Sequence, residues 1–106
     1  MKYRISLTHQ AESDLQSIYR YIAVDLLSPQ NAAGLLERLE NSIASLDQMP
    51  ERYRVYDAQP WNSRNLRIMP VGNYLVFYIP DHKTEIVTVI RVLYGRRDID
   101  MQLNQS

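Results

Sequence analysis

The stretch Tyr74-Leu75-Val76-Phe77-Tyr78-Ile79, followed after a polar turn by Ile86-Val87-Thr88-Val89-Ile90-Arg91-Val92-Leu93-Tyr94, decides how this chain folds. Both runs are rich in β-branched and aromatic residues. They are bounded by Gly72-Asn73 before, Pro80-Asp81-His82-Lys83 between and Gly95 after, which marks two strands joined by a short turn. Leu66 to Val71 supplies a third strand ahead of them, so the sequence predicts an antiparallel meander. Both long strands are apolar at either parity, the pattern of a strand covered on both faces. Gly95 closes the last one, by positive φ or by allowing close backbone approach.

Upstream, Tyr3, Ile5 and Leu7 alternate with Arg4 and Ser6, the period of a half-buried strand. Thr8 offers an N-cap for a helix whose apolar stripe is Ala11, Leu15, Ile18, Ile22 and Leu26, with Glu12, Asp14, Gln16 and Arg20 directed elsewhere. Ser28-Pro29 starts a second helix, with serine as cap and proline at the first helical position. Its stripe is Ala32, Leu35, Leu36, Leu39, Ile43 and Leu46, and it ends before Pro50. The short connection between the helices predicts an antiparallel hairpin, and residues 50–64 read as a loop. The expectation is one α+β domain over residues 1–106: an N-terminal strand, then an antiparallel helical hairpin packed on an antiparallel sheet completed by the three-stranded C-terminal meander.

Two helices cover one face of such a sheet. The other face, carrying Leu75, Phe77, Val87, Val89 and Leu93 or their alternates, must be closed by the loop and tail or from outside the chain. An exposed apolar sheet face is an interaction site by default, so the expectation is a protein partner. Trp61, in the polar loop, is either a lid on the sheet or an exposed anchor for that partner.

The 106 residues include no cysteine, which removes disulfides and thiolate metal sites and fits a reducing compartment. The basic start of the chain lacks the apolar run of a signal peptide, and nothing approaches a membrane span. The expectation is a cytoplasmic protein with no membrane partner. Net charge is zero but unevenly placed, at −2 over residues 1–50 and +4 over residues 51–97. Ten of the twelve cations are arginine, which gives the sheet half a surface suited to an acidic partner. The overall balance argues against non-specific wrapping of DNA.

Most catalytic classes find no support. With three glycines there is no phosphate loop, and His9 and His82 lack metal-ligand spacing, so neither metal nor cofactor is expected. Neither histidine has a nearby serine or cysteine nucleophile. Glu12, Asp14, Glu37 and Glu40 read as solvent-facing, which disfavours paired-carboxylate chemistry. What remains is an arginine set: Arg67 and Arg91 on the meander, with Arg96 and Arg97 beyond its end. Guanidinium groups there suit a phosphate or carboxylate, or serve to keep a sheet edge soluble. Tyr3, Tyr53, Tyr56, Tyr74, Tyr78 and Tyr94 fit packing better than base stacking.

The order of elements meets specific residues in Ala11, Asp14-Leu15, Ile18, Tyr21-Ile22, Ala32, Leu46, Pro50 and Leu66-Arg67. It continues in Val71-Gly72-Asn73-Tyr74-Leu75-Val76-Phe77-Tyr78 and in Arg91-Val92-Leu93-Tyr94-Gly95-Arg96-Arg97-Asp98. Together these resemble the RelE/ParE toxin superfamily of bacterial type II toxin–antitoxin systems over nearly the whole chain. The resemblance implies a small toxin neutralised by a cognate antitoxin whose acidic segment orders as it wraps the toxin, with operator DNA reached only through that antitoxin. RelE-like members cut mRNA on the ribosome, and ParE-like members poison DNA gyrase without being nucleases. The RelE-like pattern has an arginine where this chain has Leu75 and a tail tyrosine that Asp98 to Leu103 lacks, while Arg67 and Arg97 match its basic positions. The resemblance therefore implies a ParE-like, non-enzymatic gyrase inhibitor. The alternatives are a ribosome-dependent endoribonuclease using Arg67 and Arg97, and an inactive relative that retains only antitoxin binding. Contacts to target or antitoxin are expected at Arg91, Tyr94, Arg96, Arg97, Arg67, Leu75, Phe77 and Trp61, with no metal site.

Overall fold

A computed structural model describes residues 2–95 and 99–104. Strand β1 (Arg4–Leu7) leads into helix α1 (His9–Arg20), which passes into a π-helical turn over Tyr21–Asp25, and helix α2 (Pro29–Ala44) follows. After an irregular stretch come β2 (Arg67–Val71), β3 (Tyr74–Asp81), β4 (Ile86–Tyr94) and a short helix α3 (Ile99–Asn104). The four strands form one sheet in the order β1-β4-β3-β2, with β1 parallel to β4 and the meander antiparallel.

The local rules explain most boundaries. Thr8 caps α1 by accepting from the Ala11 amide at 3.1 Å, and its hydroxyl donates to the Ile90 carbonyl at 2.8 Å. Proline does start α2, but the Ser28 side chain makes no capping bond. The first helix is shorter than its apolar stripe suggested, because the π-helical turn takes up Ile22 and the residues around it.

The helices lie on one sheet face, where Leu15, Leu39, Ile43 and Leu46 pack against Val76, Tyr78, Val87, Val89 and Val92. The opposite face is also covered from within the chain. Trp61 and Leu66 from the loop and Leu103 from α3 bury Ile68, Phe77 and Leu93. The expected need for outside cover therefore does not hold, and the loop and tail supply it. Helix α3 had no expectation behind it, since one turn and a half offers little periodicity to read.

The double-sided apolar pattern of β4 has one irregularity. Val89 and Val92 both face the helices, yet they lie three positions apart, an odd step in a structure of period two. The ladder resolves this with a bulge: Phe77 pairs with Arg91 and Tyr78 with Val89, leaving Ile90 as the extra residue. Bulges bend a strand and re-aim its side chains, and the side chain beside this one is Arg91.

Candidate functional site between the helical hairpin and the end of the sheet

A cleft of about 930 Å³ opens where the end of α1, the π-helical turn and α2 meet the β2–β3 turn and the end of β4. Backbone geometry shapes its floor. Gly72 turns the chain with φ of 59°, and Gly95 donates its amide to the Asn73 carbonyl at 2.9 Å. A Cβ on Gly95 would meet that carbonyl at 3.3 Å, so close approach is the property that requires glycine here. Tyr74 and Tyr94 sit edge to face at 5.5 Å on this floor, and Arg38 reaches in from α2.

Arg91 and Tyr94, both expected contacts, line the cleft. Arg91 is nonetheless committed to the fold. Its Nε and Nη2 donate to the two Asp14 oxygens at 2.7 and 2.9 Å, and Nη1 donates to the Gln102 carbonyl at 3.2 Å. Asp14 Oδ2 also accepts from the Val92 amide at 2.9 Å. The bidentate bond to Asp14 raises the guanidinium pKa further, against the opposing effect of burial. Asp14 is thus not a solvent-facing carboxylate. Its position, three residues after Ala11 and four before Ile18, places it within the apolar stripe, which is the signal that could have found it.

Arg67 is occupied in a different way. Its Nη1 donates to the carbonyls of Glu51 and Tyr53 at 2.8 and 2.7 Å, Nη2 donates to Asn65 Oδ1 at 3.1 Å, and its side chain is 14% exposed. It fastens the loop to β2 and presents no open fork to a phosphate. Tyr78 joins the same anchorage by donating to the Pro50 carbonyl at 2.5 Å. Burial pushes its phenol up to about 12, against the lowering influence of Arg67 and Arg52.

Phe77 is fully buried and Trp61 nearly so, so neither is an open contact: Trp61 is the lid. Leu75 is half-buried and packs against the same layer. Arg96 and Arg97 lie outside the described residues, and with them the expectation placed on that pair. Arg38 was missed because its spacing marks only the flank of a helical stripe, and nothing local announces that the β2–β3 turn comes to meet it.

One further polar cluster lies away from the cleft. Tyr3 Oη meets His82 Nδ1 at 2.5 Å, and His82 Nε2 meets Glu51 Oε1 at 2.6 Å. Burial first, then the charges of Glu51, Glu85 and Asp81, raise the Tyr3 phenol, the opposite of an activated nucleophile. The cluster ties β1, the β3–β4 turn and the loop together, so His82 is not simply a solvated turn residue. Among the described residues no group of acidic and histidine side chains is arranged to hold a metal ion, and no helix is long and apolar enough to cross a membrane.

A sequence model described as the ParE toxin of the type II toxin–antitoxin system parDE matches residues 5–99. The chain belongs to the ParE toxin family. It is a type II toxin–antitoxin toxin of the ParE/RelE superfamily. No curated protein matches it by sequence. Among solved structures the toxin is similar to a chain of the chromosomal ParDE system of P. aeruginosa, with TM-score 0.71 and 16% identity over 88% of this chain and 96% of that one. An E. coli RelE mutant in the free state gives TM-score 0.67 at 12% identity, covering 99% and 93%. A chain of the RelE–RelB complex of Pyrococcus horikoshii OT3 gives 0.62 at 20% identity, covering 92% and 99%. At such identities these likenesses establish the α+β fold.

Proposed function

We propose that this toxin acts as a ParE-like, non-enzymatic inhibitor of DNA gyrase and is held inactive by a cognate antitoxin. The observation that carries this is the state of the two arginines on the meander, Arg67 and Arg91. A backbone-cleaving toxin needs cations free to meet charge developing on phosphate, together with an acid and a base. Here Arg67 is closed over loop carbonyls and Arg91 is closed on Asp14. Leu75 stands where the RelE-like pattern has arginine, and Trp61, Leu66 and Leu103 cover the sheet face around Phe77. The family match supports the ParE side of the choice. Some of the similar solved structures are toxin–antitoxin complexes, which supports an antitoxin as the neutralising partner.

The nuclease alternative makes a distinct demand. After induction in growing cells, mapping of translated mRNA should reveal no new defined 3′ ends while growth is arrested. Discrete cuts within codons, lost on Arg67→Ala in a variant that still folds, would reverse the assignment.

A further inference from the structure

A second groove, of about 640 Å³, runs along α1 beside α2 and shares no lining residue with the cleft at the end of the sheet. Its apolar surface comes from Leu15, Tyr19, Val24 and Leu36, of which Tyr19 is 38% and Val24 60% exposed. Its charged rim is Glu12, Arg20 and Glu40, and none of the three side chains has a hydrogen-bond or ion-pair partner among the described residues. The spacing along α1 is regular. Glu12, Gln16 and Arg20 are all exposed and fall at steps of four, so opposite charges stand about 6 Å to either side of a neutral amide on one flank of the helix.

We infer that this groove is a self-docking surface, on which a second copy of the chain lays its α1 antiparallel to this one with the two-fold axis at Gln16. In a two-fold contact one patch must complement itself. An antiparallel pair centred on Gln16 does so, because it sets Glu12 of each copy opposite Arg20 of the other. The Gln16 amide both donates and accepts, which lets it bond to its own copy. Val24 then comes to the start of the partner's α1, where Leu7 lines the groove. An acidic segment would meet Glu12 and Glu40, and a nucleic-acid strand calls for several cations where this rim has one. The signs of Glu12 and Arg20 also suit the ends of the α1 dipole, a role that needs no second copy. The inference does not depend on the gyrase reading, and such a dimer leaves the cleft at the end of the sheet open.

The test is sedimentation equilibrium of the full-length toxin over a series of concentrations, where the wild type should show a monomer–dimer equilibrium. Arg20→Glu and Glu12→Arg should each weaken self-association by about 10-fold or more, since like charges then face each other twice. Val24→Asp should weaken it through the apolar contact. An equimolar mixture of Arg20→Glu and Glu12→Arg should associate again, because each copy supplies the charge that the other lacks; a role in the helix dipole alone gives no such rescue. Arg38→Glu, in the other cleft, should dimerise as the wild type does. The chain has no cysteine, so Gln16→Cys introduces a single thiol. On the axis it meets its own copy, and mild oxidation should yield a covalent dimer at least about 10-fold faster than for Ser63→Cys at an exposed loop site. That variant keeps every charge and apolar side chain of the surface, so it decides the matter even where a charge variant fails to fold. A wild type that stays monomeric throughout overturns the inference. So does a dimer insensitive to all three groove variants, a mixture of folded variants that fails to associate, or equal oxidation rates for the two thiols.

Discussion

Arg91 and Asp14, separated by most of the chain, form a two-point ion pair at 2.7 and 2.9 Å, with the Val92 amide bonded to the same carboxylate. The β-bulge beside Arg91 and the stripe position of Asp14 bring the groups together, joining α1 to β4, and Gln102 adds α3 to the joint. Their side chains are 13% and 15% exposed, so removing one partner leaves the other poorly solvated. Asp14→Ala should cost about 3 kcal/mol of stability. Urea unfolding checks this, and a double-mutant cycle with Arg91→Met should return a large favourable coupling energy. Additive losses would mean that the pair is not an energetic unit.

Tyr78 holds the start of the loop through the Pro50 carbonyl. Tyr78→Phe leaves that carbonyl without its buried donor and should cost about 1–2 kcal/mol. The phenol also sets an alkaline limit. Its folded pKa, about 12, lies above the ordinary 10.0, so its contribution is complete below pH 10 and is lost as pH rises towards 12. Wild-type stability should fall over that window more steeply than that of Tyr78→Phe, as followed by denaturant midpoints from pH 8 to 12.

Arg67→Ala should act as a stability mutation. Losing the bonds to Glu51, Tyr53 and Asn65 should cost about 2 kcal/mol. It should also increase proteolytic cutting within residues 50–66, read by mass spectrometry of limited digests. An undiminished fold with toxicity abolished would instead place Arg67 at a target.

Helix α3 acts as cover for the outer sheet face. Leu103→Ala should destabilise by about 2–4 kcal/mol. Removing residues 99–106 should expose Phe77 and Leu93 and increase binding of a hydrophobic dye. No change in dye binding would mean that the loop and Trp61 suffice without the helix.

The strands and helices were legible because each carries many residues of one period: the stripe from Ala11 to Ile18, the stripe from Ala32 to Ile43, and the unbroken runs of β3 and β4. The double-sided pattern of those strands correctly signalled two covered faces. It could not say what covered the second, because Trp61, Leu66 and Leu103 come from segments with no period of their own. The arginines illustrate a second limit. Sequence identifies a guanidinium and its reach, but whether Arg67 meets loop carbonyls or a phosphate depends on where residues 51–53 return. Arg38 opposite Gly72 is a juxtaposition made by the fold alone.

The most direct test is a plasmid assay with purified toxin, DNA gyrase and ATP, scoring supercoiling and trapped linear DNA, with the cognate antitoxin added as reversal. A gyrase poison should abolish supercoiling and accumulate linear DNA, and the antitoxin should restore activity. Unaffected gyrase, in the presence of folded toxin that arrests growth, would contradict the assignment.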